Sequence, residues 1–212
     1  MQNIQKAFHL RFLYYQKIFG IKFVDNINLQ PNEKDMKIPS SSLQDTIFNC
    51  TLCDRSKTAK PTFGILPPVA KIIFITELPV VDPFGIFLQN KSSKMLQDII
   101  SNVFCLNISE YGVLSLIKCN ENNLKITDTE VLICKRYLNE QVISKNIKIM
   151  ILMGEKVLQH FYGLNVGEYL GKIFSHEGKK ILATYSLNQL LKNPSLKKET
   201  LTHFLALKKE VL

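Results

Sequence analysis

The sequence predicts an α/β protein, a three-layer α/β/α sandwich around a central, mostly parallel sheet of four strands. Two observations carry that prediction. Four short apolar runs, at residues 71–75, 113–117, 147–153 and 180–185, read as buried strands. Stretches of helical period alternate with them. Residues 93–104 place Met95, Leu96, Ile99, Ile100 and Val103 on one side. Residues 127–143 open on Thr127-x-x-Glu130, a capping-box pattern, and align Val131, Cys134, Leu138 and Val142. Residues 155–162 follow Gly154, and residues 195–212 close the chain after Pro194.

Ahead of this domain (residues 46–212) the sequence predicts an extension over residues 1–45. Phe8, Phe12, Tyr15 and Phe19 fall on one stripe of a helix that Gly20 would stop. The stripe suits packing onto its own domain, or a face for a protein partner. Residues 25–45 mix Asn, Pro, Lys, Asp and Ser and read as a linker.

Composition bounds the function. No apolar run approaches the roughly 18–20 residues that span a membrane, and the first residues lack a signal-peptide layout. A cytoplasmic monomer is the expectation. A net charge of +9 favours an anionic partner such as DNA. All but three of the 27 basic residues are lysine, a bias that codon usage produces without selection for binding, so charge alone leaves the partner open.

In open α/β sheets the functional crevice lies beyond the carboxyl ends of the strands. That rule selects Thr76-Glu77-Leu78-Pro79, Lys118-Cys119-Asn120, Gly154-Glu155-Lys156 and Ser186-Leu187-Asn188. Glu77 is the carboxylate that directly follows the first strand.

Five cysteines in such a chain point to metal or redox chemistry rather than disulfides. Cys50 and Cys53 form a C-x-x-C, Cys119 follows the second strand, and Cys134 lies in the next helix. Four thiolates can hold zinc or a 4Fe–4S cluster. From spacing alone these cysteines are either such ligands or small core residues. Cys105, in the apolar run Val103-Phe104-Cys105-Leu106, reads as core.

Several motifs resemble the family 4 uracil-DNA glycosylases, a bacterial and archaeal branch that carries a 4Fe–4S cluster. The carriers are Cys50-Thr51-Leu52-Cys53-Asp54-Arg55-Ser56-Lys57-Thr58, Phe63-Gly64, Lys118-Cys119, Cys134-Lys135-Arg136-Tyr137-Leu138, Leu152-Met153-Gly154 and Leu190-Leu191-Lys192-Asn193-Pro194-Ser195-Leu196-Lys197. The resemblance implies cluster ligands at Cys50, Cys53, Cys119 and Cys134. It also implies a DNA-gripping loop at Leu190, Leu191, Lys192 and Asn193, whose apolar side chain would fill the gap left by a flipped base, with Lys197 on phosphate. Without the resemblance, Leu190 and Leu191 read equally well as core.

The catalytic motifs depart from that family. Its Gly-Glu-x-Pro-Gly is Thr76-Glu77-Leu78-Pro79-Val80 here, which keeps Glu77 and loses both glycines. The position of its uracil-reading Asn is Ser115, and that of its His is Ser186. Phe84 and Phe87 are both candidates for the aromatic shelf under the base, and His176 reads as a surface-loop histidine. Serine is too short to meet a base edge with donor and acceptor together, as an amide does. The resemblance therefore implies an iron–sulfur protein acting on DNA with altered or weak glycosylase activity. Its alternative is a catalytically inactive DNA-binding or protein-interaction module.

Overall fold

A computed structural model describes residues 10–15, 17–18, 42–120, 125–143, 147–163 and 166–211. The chain divides into two compact units, Met1–Ser40 and Ser41–Leu212. Within the first, residues 10–15 are helical (α1) and expose Phe12 and Tyr15; Phe8, Phe19, Gly20 and most of the expected linker lie outside the described residues.

The second unit holds a five-stranded sheet of β1 (Ile72–Thr76), β2 (Tyr111–Ser115), β3 (Ile149–Met153), β4 (Ile173–His176) and β5 (Lys179–Thr184). Their spatial order is β2-β1-β3-β5-β4. Four strands run parallel, and β4 pairs antiparallel with β5 at the edge. The expected architecture is present with one strand more than expected. Ile173-Phe174-Ser175-His176 is short and only half buried, so it carries no apolar run to announce it. His176 is therefore an edge-strand residue rather than a loop residue, and its exposed ring packs edge-on against Tyr162.

Alternation along each strand divides the core between two faces. Ile73, Ile75, Leu114, Met150, Leu152, Ile181 and Ala183 pack under α5 (Asp128–Ile143) and α6 (Glu155–Tyr162), which the short α7 (Val166–Tyr169) follows. Ile72, Phe74, Val113, Ile149, Ile151, Met153 and Leu182 pack on the other side. There they meet α4 (Lys91–Asp98), the π-helical stretch Ile99–Phe104 that continues it, α8 (Leu187–Lys192) and α9 (Leu196–Val211). Thr127 and Glu130 form the expected reciprocal cap, with Glu130 accepting the Thr127 N–H at 2.9 Å. Cys105 is a correction to the reading of it as core. It takes a left-handed backbone (φ 54°) just past the π-helical stretch and is exposed, because the chain turns there before its side chain can enter the interior.

Two short helices, α2 (Leu43–Phe48) and α3 (Arg55–Thr58), precede the sheet. α2 packs on α5 through a small cluster of Ile47, Cys50 and Tyr137.

Candidate functional site

Two places combine buried polar groups with reactive side chains: a cysteine corner and a crevice.

The corner is assembled by the loop 49–54, the end of β2 and the face of α5. Cys50, Cys119 and Cys134 are buried and Cys53 is partly so. Burial first, and then Cys53, Cys134 and Cys50, together push the Cys119 thiol up to about 12, so the four thiols share one neighbourhood. Burial also raises Cys134, against which the Lys118 backbone N–H donates a hydrogen bond to its sulfur. Tyr137 is a hydrogen-bond partner of Cys50, and the Arg136 guanidinium lies 5.0 Å from the Tyr137 ring centre. Among the described residues no group of three or more His, Cys, Asp or Glu side chains is disposed to hold a metal ion.

Two buried cations near the corner, Lys118 and Arg55, are each paired. Lys118, 1% exposed, donates from Nζ to the Ser115 carbonyl (2.8 Å) and to Gln141 Oε1 (2.6 Å). Gln141, fully buried, donates in turn to the Phe63 carbonyl at 2.7 Å. Burial presses the Lys118 amine down to about 7, and the nearby Cys134 opposes that shift. Arg55, also 1% exposed, pairs with Glu130 at 2.9 Å and donates to the Lys125 carbonyl. Breaking this pair is destabilising, because the Arg55 charge would remain buried without its carboxylate.

The crevice lies where the carboxyl-end rule expects it. Thr76, Glu77, Leu78, Pro79, Asn120, Ser186, Leu187 and Asn188 line a narrow recess of about 70 Å³ together with Val80, Asn90 and Ser92. A shallower hollow of about 320 Å³ adjoins it, lined by Glu77, Glu155, Lys156, Ser186, Asn188 and Lys192. Glu77 is common to both. Burial raises its carboxyl above the ordinary range, and the Lys156 backbone N–H and the Lys156 charge oppose the rise. Gly154 makes this seat: its φ of +121° suits glycine, and a Cβ there would lie 2.6 Å from the Glu77 carboxyl carbon.

Two of the substituted positions, Thr76 and Ser186, are engaged in structural hydrogen bonds. The Thr76 hydroxyl donates to the Leu78 carbonyl at 2.7 Å and so ties the turn after β1. Val80 is buried in the core beneath α4 and narrows the recess. Ser186 caps α8: its hydroxyl accepts the Gln189 N–H at 3.2 Å, and Gln189 reaches back to the Ser186 N–H at 2.8 Å. Ser115, 4% exposed, ends β2 and does not line the recess.

The remaining sequence candidates are spread around the rim. Phe84 is 88% exposed, and Phe87 is partly buried against the α4-side core; neither lines the recess. Leu190 is buried, Leu191 is half-buried, and Lys192, Asn193 and Lys197 are exposed. Sequence reasoning named Asn120, Lys156 and Asn188 by their places but gave them no chemistry. It missed the Lys118–Gln141 pair altogether. The signal for that pair was Gln141 itself, a polar residue seven places after Cys134 on the apolar face of its helix.

The fold and crevice define an open α/β/α protein with its site beyond the carboxyl ends of a parallel sheet. The family model described as "Uracil DNA glycosylase superfamily" matches residues 63–208, and the chain belongs to that superfamily. It is 28% identical over 162 residues to the type-4 uracil-DNA glycosylase of Saccharolobus solfataricus, covering 70% of this chain and 74% of that protein. It is 25% identical over 149 residues to the type-4 uracil-DNA glycosylase of Sulfurisphaera tokodaii, covering 69% and 66%.

Proposed function

We propose that this chain is a 4Fe–4S protein of base-excision-repair type that binds DNA and has altered or weak glycosylase activity centred on Glu77. The observation that carries the reading is the seat of Glu77. A partly buried carboxylate, held by a backbone N–H at the start of α6 and open to the crevice, suits positioning water or stabilising an electron-poor sugar. Asn120 and Asn188 add amides to the same recess, where a base edge would need both donor and acceptor.

Cys50, Cys53, Cys119 and Cys134 fit a cluster by chemistry and neighbourhood. Zinc needs four donors about 2.3 Å from one point, whereas a cubane spreads its thiolates over four irons. A cluster would supply a rigid, charged brace between the loop 49–54, β2 and α5. The protein's own part is to hold Cys134 by the Lys118 N–H and to keep the corner dry.

A second reading, a catalytically inactive DNA-binding or protein-interaction module, is favoured by the capping bond of Ser186 and the turn bond of Thr76. Both hydroxyls already have structural partners. In either reading the protein acts as a cytoplasmic monomer, and α1, with Phe12 and Tyr15 exposed, is the face for a protein partner. Among the described residues no helix is long and apolar enough to cross a membrane.

An excision assay on duplexes carrying uracil, hypoxanthine, xanthine or alkylated bases tests the choice. Weak release that disappears in Glu77→Gln supports the first reading. Salt-sensitive duplex binding without any release supports the second. Replacing Lys192 and Lys197 should then flatten the salt dependence by about one to two units.

A further inference from the structure

We infer that the turn carrying Phe84 is the wedge this protein drives into duplex DNA, in place of the Leu190 loop. The inference rests on the DNA-binding reading above and goes beyond it by assigning the element that enters the base stack.

The turn is built to hold an apolar side chain out in water. In Asp82-Pro83-Phe84-Gly85 the Gly85 N–H donates to the Asp82 carbonyl at 3.0 Å, with proline at the second position, where its fixed φ suits such a turn. The Asp82 carboxylate accepts both the Phe84 and the Ile86 N–H at 2.9 Å. The Asp82 N–H donates to the Ile86 carbonyl at 2.8 Å, Val81 bridges Phe87, and Leu88 closes back on Val80 at 2.9 Å. Phe87 and Val81 anchor the base of the turn in the core. Phe84 at 88% and Ile86 at 63% exposure stand on this frame. An isolated exposed apolar residue means little. Two of them on one rigid turn are a different matter, because the backbone bonds stop the side chains from folding down.

Position and charge name the occupant. The turn springs from the crevice wall on both sides: Pro79 and Val80 precede it and Asn90 and Ser92 follow it, all lining the recess that holds Glu77. Lys91 and Lys94 stand on the helix that begins there, with Lys197 across a groove from them and Lys192 in the adjoining hollow. None of these four lysines is in an ion pair among the described residues. Unpaired cations beside a stiff apolar tip complement a phosphate backbone flanking a base step, where inserted apolar wedges unstack the duplex. Leu190, by contrast, is 2% exposed and already buried.

The chain contains no tryptophan, so F84W carries a single reporter. Labelled-duplex anisotropy and tryptophan emission are read on the same full-length sample. The expected result is duplex binding with strong quenching of the F84W emission. I108W, whose site precedes β2 at the opposite end of the sheet, should stay bright. F84A should bind the duplex about tenfold more weakly, the order of one lost base–aromatic stack. Duplex binding with unquenched F84W and undiminished F84A affinity would overturn the wedge and leave DNA binding intact. Failure of the wild type to bind duplex at low salt would overturn both.

Discussion

The cysteine corner and the crevice lie on the same sheet, yet their polar side chains do different things. At the corner Lys118, Gln141 and Arg55 are buried and Glu130 is partly buried; all four are paired, and Lys118 lies against Cys134. At the crevice the hydroxyls of Thr76 and Ser186 point into backbone, closing a turn and capping a helix. A short side chain at the end of a strand finds its own main chain before it finds a ligand. Glu77, by contrast, has no such bond along its own turn among the described residues, and the missing Cβ of Gly154 leaves room for its carboxyl.

Breaking the corner should have the largest effect on stability. Glu130→Gln leaves the buried Arg55 charge without its carboxylate, and should cost about 3 kcal/mol in urea denaturation. The same pair sets an acid limit. Hydrogen bonds from Thr127 and Arg55 hold Glu130 below its ordinary 4.5 despite partial burial. The stability it gives is therefore complete above about 4.5 and is lost as pH falls through the lowered value. Glu130→Gln should flatten that acid slope; an unchanged slope would mean that the pair contributes little.

Gln141→Ala comes next, at about 2 kcal/mol, since it orphans the Phe63 carbonyl and takes one acceptor from Lys118. Iron content should fall with it, because Lys118 and Cys119 are neighbours on one short loop.

Ser186→Ala probes the crevice. The loss of an N-cap should cost about 1 kcal/mol, with Ser186→Gly costing less. A variant that changes base release while leaving stability alone would show that Ser186 does chemistry after all. Restoring an amide and an imidazole by Ser115→Asn and Ser186→His faces the obstacle that Ser115 is buried outside the recess. Any gain should therefore be small unless Val80→Gly widens the recess.

These contrasts also explain what the sequence could tell. Strands and helices were legible because β1, β2, β3 and β5 are buried on both faces and their flanking helices carry regular apolar stripes. β4 was not, because an edge strand with one apolar half has no such run. The cysteines were legible by spacing and motif. The exposure of Cys105 was not, because a left-handed backbone inside an apolar run gives no sequence signal at a non-glycine residue. The crevice was located by the strand ends alone. What its residues do depends on hydrogen bonds three residues or fewer along the chain, which residue type does not reveal.

On the proposed reading, the four-cysteine corner holds a cluster, while the hydroxyls at the crevice serve the fold. Iron and acid-labile sulfide per chain, measured after anaerobic purification with the visible spectrum, test it most directly. The expected protein is brown with about four irons. Cys119→Ala and Cys134→Ala should be colourless, and Cys105→Ala, at an exposed turn, should be as brown as the wild type. A colourless wild type carrying one zinc, or a Cys105→Ala protein that loses its iron, would contradict the account.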